Sequence, residues 1–136
     1  MRSIILIVVV SVVLLIVLLV GYTRFGYFGF KLFDCDNRVI KDLKSPDGKY
    51  SATVFERDCG ATTSYVTVVS VRDSSSKFKG DRVDDFVFTM KGRPQIDIRW
   101  EDGRHLVIKR PTKNDDIFKE LRSWKEVRIS YTTASQ

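Results

Sequence analysis

Ile96-Asp97-Ile98-Arg99-Trp100-Glu101-Asp102-Gly103-Arg104-His105-Leu106-Val107-Ile108 is the stretch that decides the fold. Its first five residues alternate apolar and polar with period two, as a strand does when one face lies on a core and the other in water. Asp102-Gly103 then gives a type I′ hairpin signal, and Leu106 to Arg110 returns as the partner strand. Val127-Arg128-Ile129-Ser130-Tyr131 repeats the alternation. Ile96, Ile98, Trp100, Val127, Ile129 and Tyr131 are therefore the expected inward side chains, and Asp97, Arg99, Arg128 and Ser130 the expected wet ones.

Upstream, Tyr65 to Val71 carries Val66, Val68 and Val69 on both faces, which fits a central strand covered on each side. Ser45-Pro46-Asp47-Gly48 is a turn with a mechanism: proline fixes φ at one corner, glycine accepts positive φ at the other, and Arg38 to Leu43 joins Lys49 to Arg57 as a hairpin. The polar run from Asp73 to Gly80 leads to a strand at Phe86 to Met90, and Lys91-Gly92-Arg93-Pro94 turns the chain again. Pro46-Asp47-Gly48-Lys49-Tyr50 and Glu101-Asp102-Gly103-Arg104-His105 echo one another. Two hairpins cannot close a propeller, which needs at least about four blades, so the echo reads as shared hairpin chemistry. Asn114 or Asp115 stands where it caps one short helix near residues 115–124, with Ile117, Leu121 and Trp124 along one face. Six or seven closely spaced strands complete the expectation: a mainly β fold, a small antiparallel β sandwich or open barrel over residues 34–136, behind an N-terminal single transmembrane helix.

Ile4 to Val20 is that helix, and every residue in it except Ser11 is Ile, Leu or Val. The run rises roughly 25 Å and, with Ser3, Gly21 and Tyr22, approaches the roughly 30 Å of bilayer hydrocarbon. At about −0.3 to −0.6 kcal/mol per residue, insertion is favoured by several kcal/mol. A cleaved signal peptide has a shorter apolar region and small residues at its exit, whereas Leu19-Val20-Gly21-Tyr22-Thr23-Arg24 follows here and Leu32-Phe33-Asp34 before Cys35 is a poor lipoprotein site. Residues 1–22 are expected as a retained anchor in the lipid bilayer. Residues 23–33, where aromatics alternate with Gly26 and Gly29, are expected as a juxtamembrane linker at the headgroups.

Two signals bear on the side of the membrane. Arg2 alone precedes the helix while Arg24, Lys31 and Arg38 follow it, which by the positive-inside rule puts the domain in the cytoplasm. Cys35 and Cys59, an even pair in a small domain, point instead to a disulfide and an oxidising compartment. The basic excess is modest, so the cysteines decide: the domain is expected outside. The net charge of +6 and pI ≈ 9.4 favour anionic surfaces. There is no Lys/Arg run of five and no RNP-like aromatic motif, which argues against nucleic acid and leaves an envelope protein or anionic polymer as the expected partner.

Pro46-Asp47-Gly48-Lys49-Tyr50 followed by Val54-Phe55-Glu56-Arg57-Asp58-Cys59-Gly60-Ala61-Thr62-Thr63 resembles the signature of an uncharacterised family of short bacterial membrane-anchored proteins, a domain of unknown function behind an N-terminal apolar segment. The resemblance spans mainly residues 35–71. It implies an envelope setting and supplies no site residues.

Glu56 to Ser64 is the densest polar cluster, and Arg57, Thr62 and Thr63 are its candidate ligand or partner contacts. The alternative is structural, with the hydroxyls satisfying turn backbone and Gly60 supplying an unusual φ. If the domain were cytoplasmic, Cys59 would be a free thiol without a base nearby. His105 is the only histidine and is expected on a hairpin strand with its ring opposite Leu106. Two cysteines and one histidine make no zinc set at this spacing, no phosphate or calcium loop is present, and Asp84-Asp85 and Asp115-Asp116 read as solvated turns. No cofactor and no enzymatic activity are expected. The expected function is partner or polymer binding by an extracytoplasmic β domain, the alternative a cytoplasm-facing immunity or regulatory module.

Overall fold

Isoleucine, leucine and valine around the whole circumference of a helix leave it no polar face, and in α1, Arg2–Lys31, the apolar side chains from Ile4 to Tyr22 are accordingly exposed. The computed structural model describes residues 1–31, 35–60, 63–112 and 116–133. Over Arg2–Arg24, α1 is long and apolar enough to cross a membrane. Ser11 and Thr23 donate their hydroxyls to the carbonyls of Val8 at 2.9 Å and Val20 at 3.0 Å, so these two polar side chains need no outside partner. The helix passes Tyr22, where the anchor was expected to end, and runs to Lys31. A glycine costs a helix only about 1 kcal/mol relative to alanine, so the glycines of this segment do not stop it. Met1–Asp34 and Cys35–Gln136 form two compact units.

In the second unit the described residues form nine strands: β1 (Asp36–Lys44), β2 (Tyr50–Asp58), β3 (Val66–Asp73), β4 (Phe86–Lys91), β5 (Asp97–Asp102), β6 (His105–Arg110), β7 (Ile117–Glu120), β8 (Ser123–Trp124) and β9 (Val127–Thr133). One sheet has the order β1-β2-β3-β4-β7 and is antiparallel throughout. The other has the order β5-β6-β9-β8. The alternation of Tyr50, Ala52 and Val54 on β2 and of Val69 and Val71 on β3 faces that of Ile96, Ile98, Leu106, Ile108, Val127 and Ile129, and these side chains form the main core together with Phe88 and Met90. Trp100 and Tyr131 close its margins. β3 lies mid-sheet and is buried on both faces, because a second cluster of Phe55, Val68 and Phe86, with Phe78 packed on it, covers the far side. Phe78 comes from the connection read in the sequence only as polar.

Three local expectations give way. Residues 117–124 are not a helix: Ile117–Glu120 pairs with β4 at the sheet edge and Ser123–Trp124 pairs with β9. A spacing of four places Ile117 and Leu121 on one face of a strand as well as of a helix, and the open edge of β4 settles the ambiguity. Asn114 and Asp115, the expected caps, lie outside the described residues. The β5–β6 connection is not type I′ at Asp102-Gly103. Asp102 pairs with His105, the turn residues are Gly103 and Arg104, and Gly103 is not at positive φ. The second sheet is not purely antiparallel, since β6 and β9 run parallel. The chain between them visits the first sheet as β7 before returning, which supplies the crossover a parallel pair requires.

Candidate functional site

β1 and β2 pair from Lys44 opposite Ser51 to Asp36 opposite Asp58, so Cys35 and Cys59 leave the open end of the hairpin face to face. Their sulfurs lie 2.04 Å apart, at bonding distance, and their Cα atoms 4.1 Å apart. Arg57, in the same corner, turns onto the scaffold: its guanidinium donates to Asn37 Oδ1 at 3.1 Å and to the Gly80 carbonyl, and lies 6.0 Å from the Phe86 ring centroid. Thr63 donates both its backbone N–H and its hydroxyl to the Gly60 carbonyl at 3.0 Å. Gly60 has φ +106 and donates its N–H to Asp58 Oδ1 at 3.0 Å. Thr62 lies outside the described residues. Arg57 and Thr63 are thus each bound to their own surroundings.

A denser polar constellation occupies the outer face of the four-stranded sheet. Residues 105, 107 and 109 of β6 share that face, as do 128, 130 and 132 of β9. The parallel register sets His105 beside Arg128 and Val107 beside Ser130. His105 Nε2 lies 2.8 Å from Ser130 Oγ, and His105 Nδ1 lies 3.0 Å from Glu101 Oε2. Arg99 donates to the other oxygen of Glu101 at 2.9 Å. A carboxylate only accepts, so Nδ1 carries a proton, and whenever the ring is neutral Nε2 accepts from the Ser130 hydroxyl. The His105 side chain is 17% exposed. Alongside, Arg99, Val107, Lys109 and Thr132 line a groove of about 340 Å³. At its rim, the Lys41 ammonium, 2.5 Å from Asp97, holds that carboxyl below its ordinary value against partial desolvation, and the Ile98 N–H helps. Lys109 and Arg128 are exposed, and Lys109 lies across from Asp97, whose carboxyl its charge also helps to lower. Among the described residues no group of three or more His, Cys, Asp or Glu side chains is placed to hold a metal ion.

A family model described as a family of unknown function, DUF5412, matches residues 2–118. The chain belongs to DUF5412. The match takes in α1, the disulfide hairpin, Glu101 and His105, and it ends within β7, before β8, β9 and Ser130. No curated protein and no solved structure matches the chain.

In this DUF5412 domain the sequence reading missed Glu101 and Ser130 as partners of His105. Glu101 was hidden by its place beside the Asp-Gly turn, and Ser130 by a parallel pairing that leaves no local signature. The available signal was weak: Ser130 already stood on the wet side of an alternating strand, and the face carrying the one histidine is the face it shares.

Proposed function

We propose that this DUF5412 protein is a single-pass membrane protein whose β domain stands on the outer face of a bacterial cytoplasmic membrane and binds an envelope protein or an anionic envelope polymer, without turnover. The observation that carries the reading is the Cys35–Cys59 bridge directly after the anchor, since lasting disulfides belong to oxidising compartments. Exposed Lys109 in the groove lining and exposed Arg128 on the same sheet face support an anionic partner there. The test of side is thiol labelling. After mild reduction of intact cells, a membrane-impermeant maleimide is expected to modify Cys35 and Cys59, and labelling that needs lysis overturns the outward placement. The test of partner is binding of the detergent-solubilised chain to a polyglycerol phosphate polymer. That binding is expected to weaken with added salt and to fall several-fold in Lys109→Ala/Arg128→Ala. Binding unaffected by these substitutions removes this face from the reading.

A second reading rests on Arg24, Lys31 and Arg38 following the helix against Arg2 before it. It makes the domain a cytoplasm-facing immunity or regulatory module, and labelling only after lysis is the result it expects.

A further inference from the structure

Arg99, Glu101, His105 and Ser130 form one directed line of hydrogen bonds across β5, β6 and β9: guanidinium to carboxylate at 2.9 Å, imidazole to carboxylate at 3.0 Å, hydroxyl to imidazole at 2.8 Å. The order of groups is that of an activated hydroxyl, in which a base touches the nucleophile and an acid fixes the tautomer of the base. The ring is largely covered and held at both nitrogens, whereas Ser130 is only half-buried, and its cross-strand neighbour Val107 lines the groove. Arg128, two residues along the same strand, and Lys109 lie on the same sheet face as Ser130 and make that face positive.

We propose that Ser130 is a nucleophile, activated by His105 and Glu101, that takes an acyl group from an anionic ester. The inference goes beyond the binding reading and does not rest on it. Ser130 Oγ attacks the ester carbonyl carbon as its proton passes to His105 Nε2, and Glu101 stabilises the imidazolium through the Nδ1–H bond. The tetrahedral carbon then expels the alkoxide, which takes the proton from Nε2. One C–O bond forms and one breaks, no electron changes hands, and the products are an alcohol and one acyl group on Ser130. Arg99 is a positioning residue, since it touches only Glu101 in this line.

The test treats the full chain in detergent micelles with a fluorophosphonate and maps the adduct by peptide mass. A single phosphonyl group is expected on Ser130, with the exposed Ser64, Ser75 and Ser123 left unmodified, a comparison that needs no variant. In His105→Gln the adduct is expected to form about a hundredfold more slowly, the scale of a lost general base. With 4-nitrophenyl succinate, an anionic ester, a burst of one nitrophenolate per chain is expected, absent in Ser130→Ala and slowed several-fold in Lys109→Ala. No adduct on Ser130, modification spread over the exposed serines, or an unchanged rate in His105→Gln overturns the activated serine. A phosphonyl adduct without the nitrophenolate burst overturns the acyl step.

Discussion

Asp47 and Gly103 sit at the tips of two hairpins whose sequences echo one another, and in the folded domain they meet. A Cβ on Gly103 would lie 2.7 Å from both Cγ and Oδ2 of Asp47. The two Asp-Gly pairs therefore use glycine differently: Gly48 supplies a φ of +72, while Gly103 supplies only space. Asp47 cannot swing away without loss, because its Oδ1 accepts from Ser45 Oγ at 2.6 Å and from the Lys49 N–H at 3.2 Å, bonds that also hold its carboxyl below the ordinary value. Gly103→Ala is expected to destabilise by about 1–3 kcal/mol, the cost of overpacking. In an Asp47→Gly background that cost is expected to shrink by more than half, read from a double-mutant cycle of denaturant melts; equal costs in both backgrounds would place the strain elsewhere. Tyr131 poses a different residue-scale question. Its hydroxyl donates to the Leu121 carbonyl at 2.6 Å, and burial first, then the Glu120 charge, pushes its pKa well above the usual tyrosine value, against the opposing charges of Arg122 and Arg110. A raised pKa means stability that is complete below the unfolded value of about 10 and is lost as pH climbs above it. Tyr131→Phe is expected to cost about 1 kcal/mol at neutral pH, for the lost hydrogen bond, and to flatten the alkaline fall in stability. Parallel alkaline limbs in parent and variant would show that Tyr131 does not set it.

Elements were legible wherever one local signal agreed with the tertiary outcome. Val127 to Tyr131 and Ile96 to Trp100 alternate unambiguously, and Val127, Ile129, Ile96 and Ile98 are buried as the alternation requires. Ser45 to Gly48 forms the expected turn, closed by a Gly48 N–H to Ser45 carbonyl bond of 2.8 Å. Ile117 to Trp124 was misread because its apolar spacing fits both periods, and only the unpaired edge of β4 distinguishes them. The polar line on the outer face was illegible for a related reason: it depends on β9 running parallel to β6, a relation between segments that neither segment encodes. The β1–β2 hairpin is the element on which disulfide chemistry acts, being closed at one end by the turn and at the other by Cys35 and Cys59, separated by 24 residues in sequence. On the chain-entropy account, cross-linking at that separation is worth about 3 kcal/mol. Cys59→Ser is therefore expected to lower stability by about that amount, and reduction of the parent is expected to lower its melting temperature to that of the variant. A variant that melts with the oxidised parent would show that the bridge does not form.

At the scale of the whole molecule, the two units draw on separate sources of stability. Among the described residues, both apolar clusters of the β domain take their side chains from the segment Leu43 to Tyr131. The exposed Ile, Leu and Val of α1 are of the kind that hydrocarbon would satisfy, at about −0.3 to −0.6 kcal/mol each in a bilayer. If the sources are independent, removing one unit leaves the other intact. A chain beginning at Cys35 keeps the disulfide, every strand and both clusters. It is expected to be soluble, to show the near-ultraviolet circular dichroism of the full chain's domain, and to melt within a few degrees of it in the same detergent, while the full chain fractionates with membranes and resists alkaline carbonate extraction. A large fall in melting temperature on removing residues 1–34 would mean that this segment also buttresses the domain. Release of the full chain by carbonate would mean that α1 lies on a membrane surface rather than through it, because only a span shielded from water on all sides keeps its apolar circumference out of the wash.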